Sequence, residues 1–265
     1  MLKSIFQKTL YEKRWMLLAW WVGIFAMTLL TMSVFPFFKD SGFEEMFANA
    51  PKSLQGLLGD AASYKTVAGY VDQQIYSLRI PMMTIIMAVV LFVGVGVSDE
   101  DRGTQETLLS LPVTRSQVFW HKFAAASVLL AIACTAAFVA VLASFPLIDG
   151  SMSLVDLAAA TFGCWLVSMV FGSLTYGIGA ATGKRGLTIG AASGLAFGTY
   201  LISSLAPAVE LLNSWQKLTP FYYYNVPSIA QQGLRLSNMT VLLGATVVFS
   251  LAGLFVFRKR DLVRD

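Results

Sequence analysis

Six long apolar runs organise this sequence: Trp15–Phe38, Ile80–Val97, Phe123–Phe145, Leu154–Ala181, Leu187–Leu205 and Met239–Phe257. A helix needs roughly 20 residues to cross a hydrocarbon core about 30 Å thick, and each run has about that length. Inside lipid the backbone must satisfy its own polar groups, which a helix does. The runs therefore predict an all-α membrane protein, a single domain over residues 1–265 built as a bundle of six transmembrane helices. A basic stretch precedes the first run, as it would in a signal peptide. The run is too long for a signal-peptide core, and no small-residue cleavage site follows, so it is read as a retained helix.

Charge agrees with this class. Only 13% of residues are charged and 56% are hydrophobic, whereas a soluble domain is about one-quarter charged. The net charge of +4 does not point to nucleic acid. A nucleic-acid binder gathers Lys and Arg on one soluble face, and here they sit at the ends of apolar runs. With the N-terminus inside, 13 of the 19 Lys and Arg fall on the cytoplasmic side and 6 on the other. Cytoplasmic excess of Lys and Arg places both termini in the cytoplasm.

The span interiors hold no Lys, Arg, Asp or Glu except near Asp156. Ion-driven carriers keep such groups at membrane depth, so the energy source is expected outside the chain. No catalytic constellation such as Gly-x-Ser-x-Gly or His-Glu-x-x-His is present. Thr182-Gly183-Lys184-Arg185 imitates part of a phosphate-binding loop. It lacks the glycine five residues before Gly183, where Ile178 stands, and the Ser or Thr after the lysine. It reads instead as a tight cytoplasmic turn whose cations meet anionic headgroups. His121 is the sole histidine, with no second His or Cys nearby to complete a metal site. Cys134 and Cys164 lie inside apolar runs without ligand spacing, and read as reduced, buried hydrophobes. Catalytic, cofactor and metal residues are accordingly expected to be absent from this chain.

Four segments between or within the runs carry more. Met1–Arg14 places Leu2, Ile5, Phe6 and Leu10 on one helical face. It can lie amphipathically in the headgroup plane or simply extend the first span. Lys39–Ser77 reads as a polar outer loop with two short apolar patches. In Gly186, Gly190, Gly194 and Gly198 the fifth span carries three small-xxx-small steps. Such a stripe lets two helices approach closely, either within one bundle or as a sliding or dimerising surface. Leu at Gly190 or Gly194 is then expected to be worse tolerated than Leu at Ala196, off the stripe. Pro207–Asn238 is amphipathic and aromatic, with Phe221, Tyr222, Tyr223 and Tyr224 between Pro220 and Pro227. An aromatic belt at the membrane interface accounts for it.

Residues 98–122 read SDEDRGTQETLLSLPVTRSQVFWHK. Thr104 can cap a short helix that Pro112 ends, and Thr114 with Gln117 has capping-box spacing for the next helix. Leu108, Leu109 and Leu111 form an apolar patch in a polar loop. It packs either beneath the helix ends or against a partner.

Within that loop, Glu100, Gly103-Thr104, Glu106, Leu108-Leu109-Ser110-Leu111-Pro112-Val113 and Arg115 resemble the cytoplasmic signature of type-2 permease subunits of ATP-binding-cassette exporters. Ala68-Gly69-Tyr70, and Thr219-Pro220-Phe221-Tyr222-Tyr223-Tyr224 followed by Gly233, are similar to the same family. The resemblance covers the six-span plan and most of the chain. It implies a permease of a bacterial inner membrane whose 98–122 loop is a coupling helix docked on a separate cytoplasmic ATPase. Glu100, Gly103, Thr104, Glu106, Leu108, Leu109, Leu111, Pro112 and Arg115 would form that interface. It also implies a second permease subunit, identical or similar, with ATP and magnesium held by the ATPase alone. Residues 207–238 would be a re-entrant hairpin on the outer side, with Phe221, Tyr222 and Tyr223 as candidates for an outer gate. The cargo would be hydrophobic or amphipathic, in contact with membrane lipid. A membrane assembly or immunity factor, and an ion-coupled carrier, are the alternative classes.

Overall fold

The computed structural model describes residues 4–40, 65–97, 114–148, 150–206, 209–225 and 235–259. Ten α-helices follow in order: α1 Ile5–Ser33, α2 Phe35–Asp40, α3 Val67–Tyr70, α4 Arg79–Gly96, α5 Arg115–Ile148, α6 Leu154–Thr182, α7 Arg185–Leu205, α8 Asn213–Gln216, α9 Pro220–Asn225 and α10 Leu236–Lys259. A π-helical stretch, Val71–Tyr76, joins α3 towards α4, and no strand occurs among the described residues. Six stretches are long and apolar enough to cross a membrane: Ile5–Phe37, Val67–Gly96, Arg115–Ile148, Leu154–Thr182, Arg185–Leu205 and Leu236–Lys259. These are the six runs of the sequence, lengthened at several ends.

One boundary was open between two readings, and another differs from expectation. The N-terminal segment continues into the first span as one helix from Ile5 to Ser33, capped by the Ser4 side chain. It is thus an extension of the span. At 1.5 Å per residue, a helix of this length exceeds the hydrocarbon core by about 13 Å, which carries Lys8, Glu12, Lys13 and Arg14 to its edge or beyond. The correction concerns Val67–Tyr76, expected as outer loop but helical and continuous with the second span. Thr66 Oγ1 accepts from Gly69 N–H at 3.1 Å and starts it. Its polar residues misled the reading: Asp72 is turned inward and buried. The expected charge-free interior holds for Ile80–Val97, while the helical extension brings the buried Asp72 and also Arg79 into the second span.

The helices run antiparallel, and two ends result. Lys8, Lys13, Arg14, Arg115, Lys122, Lys184, Arg185, Arg258 and Lys259 gather at one, here the basic end. The opposite end holds the α5–α6 turn and α9. At that turn Ser153 Oγ accepts from Asp156 N–H at 3.4 Å, and the acidic side chain suits the first helical turn. Helix α6 is the centre of the bundle, packed on α4, α5, α7 and α10, while α1 packs chiefly along α5. Thr84 carries a partnered hydroxyl inside this apolar core, its Oγ1 lying 2.7 Å from Ser168 Oγ and 3.3 Å from Cys164 Sγ. Cys134 and Cys164 are both buried and free. Gly183 ends α6 in the left-handed conformation at φ 62°, its N–H donating to the Gly179 carbonyl at 2.8 Å. A side chain there would be disfavoured, so Gly183 serves the turn into α7.

Candidate functional site

At the basic end, α4 stops at Val97 and α5 begins after Thr114. The expected capping box forms: Thr114 N–H donates to Gln117 Oε1 at 3.0 Å, and Gln117 N–H donates to Thr114 Oγ1 at 3.2 Å. Arg115 thereby occupies the first turn of α5. Glu100, Gly103, Thr104, Glu106, Leu108, Leu109, Leu111 and Pro112 lie outside the described residues. His121 is exposed on α5, and no cluster of metal-ligating side chains occurs among the described residues.

Around the end of α4 and the first turns of α5 lies an aromatic knot that the sequence did not reveal. Phe119 and Tyr176 rings lie 4.5 Å apart, Phe92 and Phe123 5.5 Å, and Phe119 and Phe257 5.9 Å. Tyr176 Oη donates to the Phe119 carbonyl at 3.2 Å. Edge-to-face and tilted pairs at these separations add to simple burial. The knot ties α4, α5, α6 and α10 together. Its closeness depends on two glycines: a Cβ at Gly172 would stand 2.5 Å from Phe92, and one at Gly96 2.9 Å from Tyr176.

At the opposite end the polypeptide of Glu210–Asn225 forms a 3-10 turn and the short helices α8 and α9. Helix α9 packs against α6, α7 and α10. Its ring contacts show how deep it sits. Phe221 lies 5.5 Å from Phe171 and 5.7 Å from Tyr200, ring to ring. Phe171 is about 25 Å along α6 from Leu154 at 1.5 Å per residue, so α9 dips beside the middle of the spans. The rest of the expected re-entrant hairpin, 207–208 and 226–234, lies outside the described residues. Of the three aromatic candidates, Phe221 is buried, and Tyr222 and Tyr223 are half-buried, with rings edge to face at 5.2 Å. Tyr224, not among them, is the most enclosed of the run at 1% exposed. It donates its hydroxyl to the Tyr76 carbonyl at 2.7 Å. Phe221 and Tyr224 are three residues apart and share a helical face, a signal available in the sequence.

Between α4 and α7, beneath Phe221, lies an apolar cavity of about 360 Å³. Met82, Ile85, Val89, Ile189, Phe197 and Tyr200 are among its walls. The glycines of α7 take part in no close contact among the described residues. A Cβ at Gly186, Gly190, Gly194 or Gly198 would meet nothing within 4 Å among the described residues. Among the described residues, then, no neighbour within the bundle closes on the stripe. Only Thr188 and Ala192 of α7 are buried.

Residues 5–262 match the family described as ABC-2 family transporter protein. The chain belongs to this ABC-2 permease family. No curated protein matches it. A permease of this kind is a multi-pass membrane component of a transporter, and membership implies partnership with ABC ATPase subunits. For this permease the basic end with its capped α5 and aromatic knot, and the α9 end with its apolar cavity, are the two regions where transport is to be sought.

Proposed function

We propose that this permease is the membrane-spanning half of an ATP-driven exporter in a bacterial inner membrane. Separate cytoplasmic ATPase subunits, which alone hold ATP and magnesium, dock at the basic end through residues 98–115. Both termini lie in the cytoplasm, in keeping with the basic residues at that end. The observation that carries the reading is the knot joining α4 and α5 where the 98–113 segment leaves and returns. A push on that segment would enter four helices together and tilt the bundle towards an outward opening at the α9 end.

The cavity between α4 and α7 supports a hydrophobic or amphipathic cargo, since its walls are almost wholly apolar. The bare glycine face of α7 supports a second permease subunit there, identical or similar, because lipid gains nothing from a stripe without side chains while a second helix does. Surrounding lipid and the cations of Lys184 and Arg185 would hold the turn at the headgroups.

The test is Leu109→Asp in the permease expressed with its ATPase. Burying one leucine is worth roughly 1.5–3 kcal/mol, and placing a carboxylate in the same groove reverses that. We expect the ATPase to be lost from the purified complex while the permease remains folded in the membrane. An undiminished complex that keeps substrate-stimulated ATP hydrolysis would remove the loop as the docking site.

A further inference from the structure

The second span changes its hydrogen-bond register partway along. Through Val71–Tyr76 it is a π-helix, and Ser77 N–H reaches back five residues to the Asp72 carbonyl at 2.7 Å. Leu78 then leaves helical geometry, at φ −133° and ψ −55°. The α pattern resumes with Met82 N–H donating to the Leu78 carbonyl at 3.0 Å. Pro81 is the cause within the chain. It has no N–H for the Ser77 carbonyl four residues back, and its ring crowds that carbonyl. A π-segment followed by proline is where a helix can bend without disturbing the packing on either side.

Side-chain bonds bracket this bend from three directions. Tyr70 Oη donates to the Thr31 carbonyl of α1 at 2.8 Å. Tyr76 Oη and Thr161 Oγ1 of α6 lie 2.7 Å apart. The Arg79 guanidinium bonds both the carbonyl and the side chain of Gln74, stapling the bend along its own strand of helix. The remaining bond is of another kind. Tyr224 reaches the backbone carbonyl of Tyr76, at the last π residue, from α9, which is six residues long and spans nothing. That bond is buried on both sides, with Tyr224 and Tyr76 almost wholly enclosed.

We propose that Tyr224 is the latch of the α9 end, a positioning residue for transport whose hydroxyl holds the bend of the second span closed. Withdrawal of α9 frees the Tyr76 carbonyl, the Val67–Tyr76 segment swings about Leu78, and the far end of the bundle opens. The knot at the opposite end does not move with it, because the hinge lies between them. This deepens the exporter reading and rests on the α9 end being the one that opens.

The experiment uses the full-length permease with its ATPase, in membrane vesicles, with Cys134 and Cys164 replaced by Ala. Val71→Cys places a thiol in the π-segment at a position that is fully buried. A membrane-impermeant maleimide is applied from the side of the α9 end. Tyr224→Phe removes only the latching hydroxyl, and we expect it to raise the labelling rate at position 71 at least fivefold without ATP. Tyr76→Phe deletes an equally buried hydroxyl but leaves the carbonyl, and should leave the rate within twofold. Pro81→Ala restores the missing N–H, so it should return the Tyr224→Phe rate to that of the parent. Should Tyr224→Phe fold poorly, Pro81→Ala alone decides, by lowering labelling during ATP turnover below the parent. Equal labelling of parent and Tyr224→Phe, or of Tyr224→Phe and Tyr76→Phe, overturns the latch, as does an unaltered rate in Pro81→Ala. Failure of the exporter reading shows separately, as a parent permease that never retains an ATPase.

Discussion

Helices α6 and α7 are both rich in glycine, and they use it in opposite ways. On α6, Gly177 meets Gly253 of α10 so closely that a Cβ at Gly253 would stand 2.7 Å from the Gly177 Cα. On α7, four glycines in a regular stripe touch nothing within 4 Å among the described residues. Of the apolar window of each helix, 56% is buried in α6 and 11% in α7. The regular motif is thus on a helix face that meets nothing among the described residues, and the irregular glycines are at a tight crossing. Within a bundle each contact is made wherever two axes cross, so one glycine per helix suffices. A repeated stripe suits a longer approach of two helices, and among the described residues no helix of this chain makes one with it.

The largest effect expected from this contrast is at the α6–α10 crossing. Overpacking a tight site costs about 1–3 kcal/mol where neighbours can adjust. Gly253 faces backbone, which cannot, so Gly253→Leu should abolish recovery of folded monomeric permease in detergent. Normal yield and an unchanged melting temperature would mean the crossing is looser than 2.7 Å suggests. Next comes Gly194→Leu, which has open space around it. It should leave monomer stability within about 0.5 kcal/mol, as substitutions away from packed features do. It should nevertheless weaken permease self-association at least tenfold, about 1.4 kcal/mol, measured by dilution in detergent or by cross-linking in membranes. Unchanged association would leave the stripe facing lipid. The smallest effect is Ala196→Leu. Ala196 borders the cavity between α4 and α7, so extra bulk fills empty space and should alter stability by less than about 1.5 kcal/mol. The change should instead reduce cargo-stimulated ATP hydrolysis with association intact. A lost dimer with normal cargo response would exchange the roles of the two faces.

Much of the fold was legible because membrane spans announce themselves by length and apolarity. The capping box at Thr114 and Gln117 was equally legible, since it depends on two local side chains. Val67–Tyr76 was not, because Asp72, Gln73 and Gln74 give it the polarity of a loop. Only the packed bundle shows Asp72 buried. At the α9 end the run Phe221–Tyr224 stood out, but the sequence alone could not show which of its tyrosines is enclosed. Which hydroxyl is enclosed depends on the helix that forms and on Tyr76, which is far away in sequence. The aromatic knot was invisible for the same reason: Phe92, Phe119, Tyr176 and Phe257 meet only after four helices have assembled.

That knot has a mechanical consequence. Phe119 is five residues beyond Thr114, and Phe92 is five before Val97, so each lies about 7 Å from where the 98–113 segment attaches. A torque applied to the segment therefore acts through two short, stiff arms that share one fulcrum. Four helices must turn with it or not at all, while α1, fastened chiefly to α5, rides as a passenger. A stroke of a few ångströms at the basic end would then turn the four helices as one body from the knot as far as the bend at Leu78, where the second span leaves helical geometry.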